Sequence, residues 1–174
     1  MEDCGRHVLL NKLEKYTMEY TTRKAILKDL PVLLNFEQGV IEAERPMDPT
    51  IQEGQITYYD ISELITSETS DVYVVEVDNA IVASGYAKIM DDRPYLKHSK
   101  QGYLGFMFVP KDHRGKGLNK LILNALLTWC KERDIFEVRL DVYDKNASAI
   151  KAYLKAGFKK NMVNMRLDIE NLDL

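Results

Sequence analysis

From residue 118 to residue 129 the apolar side chains are Leu118, Leu121, Ile122, Ala125, Leu126 and Trp129. That three/four spacing predicts an amphipathic helix starting near Gly115. Immediately downstream the period changes to two. Phe136, Val138, Leu140 and Val142 alternate with Glu137, Arg139, Asp141 and Tyr143, which predicts a strand with one buried face. The same reading upstream gives a first strand at 20–24 and a helix opened by Asp29, Leu30 and Pro31. That helix carries Leu33, Phe36 and Val40 on one face. A short helix is expected near 60–66 and a hairpin at 72–90 turning on Asp78 and Asn79. A further strand, 102–109, ends at Pro110. A helix over 146–156 closes at Gly157, and Val163, Met165, Leu167 and Ile169 alternate as a last strand. Residues 43–70 are otherwise the least patterned part of the chain. The order predicts an α/β fold, a mixed central sheet flanked by helices.

Residues 1–19 form a separate expectation. Leu9, Leu10, Leu13 and Tyr16 recur at helical spacing, with Lys12, Glu14 and Lys15 on the wet side. We expect a helical extension here, packed on the domain of residues 20–174 or on a second copy of the chain as a homodimer. Composition narrows the function. The 174 residues carry 24 basic and 27 acidic side chains, a net charge of −3, which argues against a nucleic-acid partner. No apolar run reaches the ~20 residues of a membrane span, and no signal-peptide core stands at the N-terminus. Two cysteines, Cys4 and Cys130, make neither a disulfide framework nor a metal cluster, so no metal and a cytoplasmic setting are expected. Cys130 lies beside Trp129 on the apolar side of its helix and reads as a buried thiol rather than a nucleophile.

The stretch with the most chemistry runs from Phe108 to Lys120. A strand ends, a glycine-bearing basic turn follows, and a long helix begins. Glycines allow a tight turn and close approach of a ligand to backbone N–H groups. The first helical turn leaves N–H donors without internal partners, at the positive end of the macrodipole. With Lys111, Arg114, Lys116 and Lys120 this makes an anion site, most often for phosphate. Neither common nucleotide loop fits. Gly115-Lys116 is followed by Gly117, not Ser or Thr, and Gly115-x-Gly117 is followed by Lys120 where a dinucleotide fingerprint requires glycine. A second constellation spans Asn146 to Phe158. Asn146 and Tyr153 are two helical turns apart on one face, with small Ala149 between them. Structurally they also read as an N-cap and a half-buried core tyrosine.

Together the two stretches resemble the GNAT superfamily of acyl-CoA-dependent N-acetyltransferases. The family's loop reads Arg/Gln-x-x-Gly-x-Gly/Ala, matched by Arg114-Gly115-Lys116-Gly117-Leu118-Asn119 except at Asn119. The family's following segment, Asn-x-x-Ala-x-x-x-Tyr-x-x-x-Gly-Phe, is matched by Asn146, Ala149, Tyr153, Gly157 and Phe158. The resemblance implies a mostly antiparallel sheet whose strands splay to admit acetyl-CoA as co-substrate. Its pantetheine arm would lie along Met107, Phe108 and Val109, with the pyrophosphate on N–H groups from Gly115 through Lys116, Gly117, Leu118 and Asn119 to Lys120, beside Arg114. Asn146 and Tyr153 would line the same site. It further implies direct transfer of acetyl to an amine, with Tyr153 as general acid.

Some relatives that modify protein lysines carry a glutamate eleven residues before the loop; this chain has Tyr103 there, a poor base unless its pKa is lowered. The base is then a water or an acid from elsewhere, with Glu42, Glu44, Asp48 and Asp60 in the region that lines the acceptor site in the family. The dense segment from Glu42 to Pro49 suits a cationic amine at its acids, Glu44 and Asp48 foremost, and a substrate carboxylate at Arg45. The expected acceptor is a primary amine of a small molecule or peptide. The competing reading is a catalytically silent acyl-CoA-binding module of the same fold.

Overall fold

The computed structural model describes residues 19–170. The expected helix at 9–16 lies outside them. The chain runs β1 (Thr21–Lys24), α1 (Leu30–Glu44), α2 (Ile61–Thr66), β2 (Ser70–Val77), β3 (Ala80–Asp91), β4 (Lys100–Phe108), α3 (Leu118–Lys131), β5 (Val138–Arg139) and α4 (Ala147–Lys155). The strands form one sheet in sequential order, antiparallel from β1 to β4, with β5 parallel to β4. The sheet is mixed, as the element order predicts, and mostly antiparallel, as the family resemblance implies.

The periodicities place the elements for physical reasons that the contacts repeat. Pro31 sits in the first turn of α1, where its missing N–H costs nothing. Asp78 and Asn79 both take positive φ, 48° and 62°, the backbone of a tight hairpin turn. The core lies on both faces of the sheet. On one, Leu118, Ile122, Leu126 and Trp129 of α3 pack on Val75, Ala83 and Leu104. On the other, Leu33, Phe36 and Val40 of α1 and Ile61 and Leu64 of α2 cover Val72, Val74 and Phe106. Cys130 is fully buried, and burial pushes its thiol up to about 11, consistent with an inert structural sulfur.

Two expected strands differ from the structure. The strand expected over 136–143 is paired with β4 only at Val138 and Arg139, and the ladder ends there. The last strand, expected over 163–169, does not form. Val163, Met165 and Leu167 are 82, 89 and 75% exposed, and no other strand of the sheet lies beside them. Their alternation is a strand pattern without a partner among the described residues.

Candidate active site

The β4–β5 pairing is Gly102 to Val138 and Tyr103 to Arg139, and the ladder stops there. Toward its C-terminal end β4 is further distorted. Two residues of β4, Phe106 and Met107, oppose one of β3, Gly85, between the pairs Tyr86–Gly105 and Ser84–Phe108. Phe106 adopts φ 55°, and Ser84 Oγ donates to the Phe106 carbonyl at 3.2 Å. Such a bulge redirects backbone polar groups out of the ladder. Beyond the two paired positions, the edge of β4 from Gly105 through Phe106, Met107 and Phe108 to Val109 has no β5 partner, and this unpaired edge beside the end of β5 is here termed the wedge. The side chains of these residues are otherwise engaged. Phe108 packs on Phe36 with ring centroids 5.1 Å apart, and Met107 and Val109 join the α3 side of the core. What they offer a ligand is main chain.

At the open end of the wedge the chain makes a 3-10 turn, Lys111–His113, and passes through Gly115 and Gly117 into α3. Both glycines lie in the left-handed region, φ 77° and 80°, and a Cβ on either would meet nothing within 4 Å. Glycine is therefore required by conformation, and the space above the loop is open to a ligand. Lys111, Arg114, Lys116 and Lys120 are all exposed. Arg114 Nε donates to the Val109 carbonyl at 3.0 Å, which ties the loop to the end of β4. Leu118 is buried in the core while Asn119 is half-buried, so the bulkier side chain at the family's Gly/Ala position leaves the first-turn N–H groups in place. This loop fits a diphosphate by donors, charge and room.

After β5 the chain forms α4, whose Tyr153 packs with Phe158 against the α3 side of the core. Asn146 is the N-cap of α4, accepting from the Ala149 N–H at 3.1 Å, and Gly157 leaves it at φ 100°. Tyr153 is half-buried with its ring 6.0 Å from Phe158. Burial, and then the charge of Glu44, push its phenol up to about 12, so it carries its proton at neutral pH.

Glu44, at the C-terminal end of α1, is the carboxylate whose charge reaches this phenol. Burial raises its pKa, partly opposed by a hydrogen bond from Tyr58. Its charge also acts on Tyr58, Tyr59 and Tyr143, giving one carboxylate among four phenols. The other acids have different work. Asp48 accepts both guanidinium nitrogens of Arg166 at 2.9 and 3.0 Å, and Thr50 N and Oγ1 at 3.0 and 2.7 Å. Those bonds, Arg166 foremost, hold its carboxyl far below the usual range, and leave it an anchor rather than an open docking group. Asp60 caps α2, accepting from the Glu63 N–H at 2.9 Å. Arg45 donates to the carbonyls of Gln52 and Gly54, which fixes its own loop. Glu42 is exposed. Tyr103 donates its hydroxyl to Asp141 at 2.9 Å, and burial together with that bond raises its pKa, the wrong direction for a base.

Sequence patterning missed Glu37, Tyr58, Tyr59 and Tyr143. Glu37 is wholly buried, and its Oε1 accepts the N–H groups of Tyr58 and Tyr59 at 2.7 and 2.8 Å. A signal existed: Glu37 lies four residues from Leu33 and next to Phe36, on the apolar stripe of α1. Among the described residues there is no cluster of metal-binding side chains, and no helix long and apolar enough to cross a membrane.

The chain shares 31% identity over 102 residues with human (Homo sapiens) N-acetyltransferase 8B, covering 58% of this chain and 44% of that protein. It thus spans less than half the length of the curated relatives it matches. A mutant BH1408 protein from Bacillus halodurans is similar in fold, with TM-score 0.78 at 23% identity, covering 85% of this chain and 98% of that one. So is a predicted acetyltransferase from Clostridium acetobutylicum, solved with acetyl-CoA, with TM-score 0.66 at 22% identity, covering 87 and 97%. The family model for the Acetyltransferase (GNAT) family matches residues 38–158, more than two thirds of the chain, and takes in the wedge, the glycine loop and α4. The chain belongs to the GNAT acetyltransferase family.

Proposed function

We propose that this protein transfers the acetyl group of acetyl-CoA directly to a primary amine of a small molecule or peptide. The observation that carries the proposal is the coincidence of the wedge with the loop: the β4–β5 ladder ends at Tyr103 and Arg139, and the unpaired remainder of β4 leads directly into the turn of Gly115 and Gly117. A thioester arm fits beside the freed backbone of β4, with its diphosphate on the first turn of α3 and its charge matched by Arg114, Lys116 and Lys120. The acetyl-CoA carried by the Clostridium acetobutylicum neighbour supports that co-substrate.

The chain's own groups then divide the proton traffic. The acceptor nitrogen must be neutral to attack the thioester carbonyl carbon. Glu44 holds the incoming cation and takes its proton, directly or through one water. As the C–N bond forms and the C–S bond breaks, Tyr153 gives its proton to the departing sulfur, and the proton the nitrogen sheds in becoming an amide restores the phenol, directly or through water. A phenol held protonated suits an acid, and a carboxyl raised by burial suits a base better than an exposed one does. A backbone N–H at the β4 bulge polarises the carbonyl. Residues 20–174 serve as the catalytic domain and 1–19 as an extension, and we take the cytoplasm as its compartment from the sparse cysteines.

The test is a CoA-release assay against a panel of polyamines, amino acids, aminoglycosides and lysine peptides. Steady, acceptor-dependent turnover is expected. Stoichiometric binding of acetyl-CoA with no turnover on any amine would replace the enzyme with the silent acyl-CoA-binding module.

A further inference from the structure

Tyr86 of β3 is a phenol that the proposed proton traffic leaves unused. It pairs with Gly105 of β4, its neighbour about 5 Å away across the ladder. A Cβ at Gly105 would stand 2.6 Å from both Cζ and Oη of Tyr86, so the far end of the ring lies directly over the glycine. The hydroxyl is thus delivered onto β4 two residues past the last β4–β5 rung, at Tyr103 and Arg139, on an edge with no β5 partner. Its neighbours fix the ring there. Tyr59, whose N–H is held by Glu37 at 2.8 Å, packs its ring 5.5 Å from that of Tyr86 and 5.5 Å from that of Phe106. Nearby, Asp141 accepts the Tyr103 hydroxyl at 2.9 Å. The Tyr86 hydroxyl, by contrast, has no hydrogen-bond partner among the described residues, and its oxygen remains open to solvent although the residue as a whole is only 7% exposed. Burial, and then the charge of Asp141, push the phenol up to about 12, so it keeps its proton at neutral pH.

We propose that the Tyr86 hydroxyl binds the attacking nitrogen of the acceptor, with the phenol oxygen accepting one N–H of the neutral amine. The inference deepens the acetyl-transfer reading and rests on it. Seated on the unpaired edge of β4 next to the bulge at Phe106 and Met107, the hydroxyl stands beside the backbone along which the thioester arm is proposed to lie. A neutral primary amine carries two N–H groups and one lone pair. One N–H held by Tyr86 fixes the nitrogen so that the lone pair can face the thioester carbon, and the other is shed as the amide forms. Tyr86 transfers no proton; its phenol starts and ends protonated. Tyr103 is not available for this work, because its hydroxyl is committed to Asp141. Gly105 is part of the device. Its φ lies outside the left-handed region, so space rather than conformation excludes a side chain there. A side chain at 105 would collide with the phenol and lift it from the edge.

The experiment is steady-state kinetics of the full chain on an amine that the wild type acetylates, with acetyl-CoA affinity and melting temperature measured on the same preparations. Tyr86→Phe removes only the oxygen. It should lower kcat/KM for the amine on the order of 10-fold, the effect of one hydrogen bond, without changing the shape of the pH profile. Acetyl-CoA affinity should hold, and the melting temperature should not fall, because no partner within the described chain is lost. Gly105→Ala, which displaces the same hydroxyl, should reproduce the loss, and the double variant should be no worse than the more impaired single one. Equal kcat/KM in Tyr86→Phe and wild type would overturn this inference and leave acetyl transfer standing. So would losses that add in the double variant, or a Tyr86→Phe deficit matched by a lower melting temperature or weaker acetyl-CoA binding, which would mark a packing role. A wild type without turnover on any amine would overturn the inference together with the reading on which it rests.

Discussion

The side of the wedge proposed for the cofactor and the side proposed for the acceptor are built differently. The proposed cofactor side is a continuous run, β4, glycine loop and α3, whose apolar side chains are spent on the two cores, so that its backbone is what remains for a ligand. The acceptor side is assembled from the end of α1, the 45–60 loop, the stretch after β5 and α4, and no residue of α4 is fully buried. Its shape depends on a few polar ties: Glu37 to Tyr58 and Tyr59, Arg45 to Gln52 and Gly54, and Asp48 to Arg166. A ligand read by main chain suits a rigid core element. A ligand read by side chains suits loops that can be rebuilt.

The largest expected effect lies where the two sides meet. Tyr153→Phe keeps the ring and its packing on Phe158, so thermal stability and acetyl-CoA affinity should change little. Loss of the acid should lower kcat by about 10²–10⁴-fold. Unaltered kcat at saturating substrates would remove Tyr153 from the chemistry and leave the cofactor side intact.

Next come two carboxylates four residues apart whose pKa values move in opposite directions. Burial raises Glu44 above the ordinary glutamate value of 4.5, so its ionised, base-competent form is lost at higher pH than usual as the solution is acidified. Glu44→Gln should lower kcat/KM on the order of 10²-fold and flatten the acid limb that Glu44 contributes. A profile with the same acid limb in the variant would assign it elsewhere. For stability the sign is the reverse of the usual carboxylate: the protonated form is favoured by folding, and that contribution fades as pH rises through the raised value.

Glu37→Leu tests whether the loop ties matter to one side only. It leaves the Tyr58 and Tyr59 N–H groups without their acceptor, at about 1–3 kcal/mol for each buried donor. Melting temperature should fall by several degrees and kcat/KM should drop, with acetyl-CoA affinity nearly unchanged. Equal loss on both sides would mean that the halves are not separable.

The smallest effect is expected at the tether. Asp48 is depressed chiefly by Arg166, so the stabilisation is present above the ordinary aspartate value of 3.8 and disappears as pH falls through the folded value. Arg166→Ala should be slightly less stable than wild type near neutrality, with the two melting curves converging in acid. A gap that persists or widens in acid would contradict the assignment.

The same contrast explains what could be read from sequence. Leu118 to Trp129 and the Asp78-Asn79 turn announce themselves because one face of each element is buried by regular neighbours. The glycine loop was legible because its chemistry is local: Gly115 and Gly117 adopt the backbone their spacing suggested. Glu44 was visible only as one acid among several, since its distinction lies in the phenols around it, drawn from residues 58, 59, 143 and 153. Asp48 looked equally available until Arg166, over a hundred residues away, was found on it. Two-residue alternation at 136–143 and 163–169 was real, but alternation reports a face, not a partner. At β5 the ladder stops after two residues, and Val163 to Ile169 have no partner strand among the described residues.

The central claim is that the wedge and glycine loop hold acetyl-CoA. Calorimetric titration of acetyl-CoA into the wild-type chain and into Gly117→Val tests it most directly. Valine at φ 80° costs about 1–2 kcal/mol of strain and fills space open above the loop. The account predicts one-site binding to the wild type, with a raised melting temperature by mass action. The folded variant should show neither heat nor shift. Absence of acetyl-CoA binding to the wild type, or equal binding to both, would contradict it.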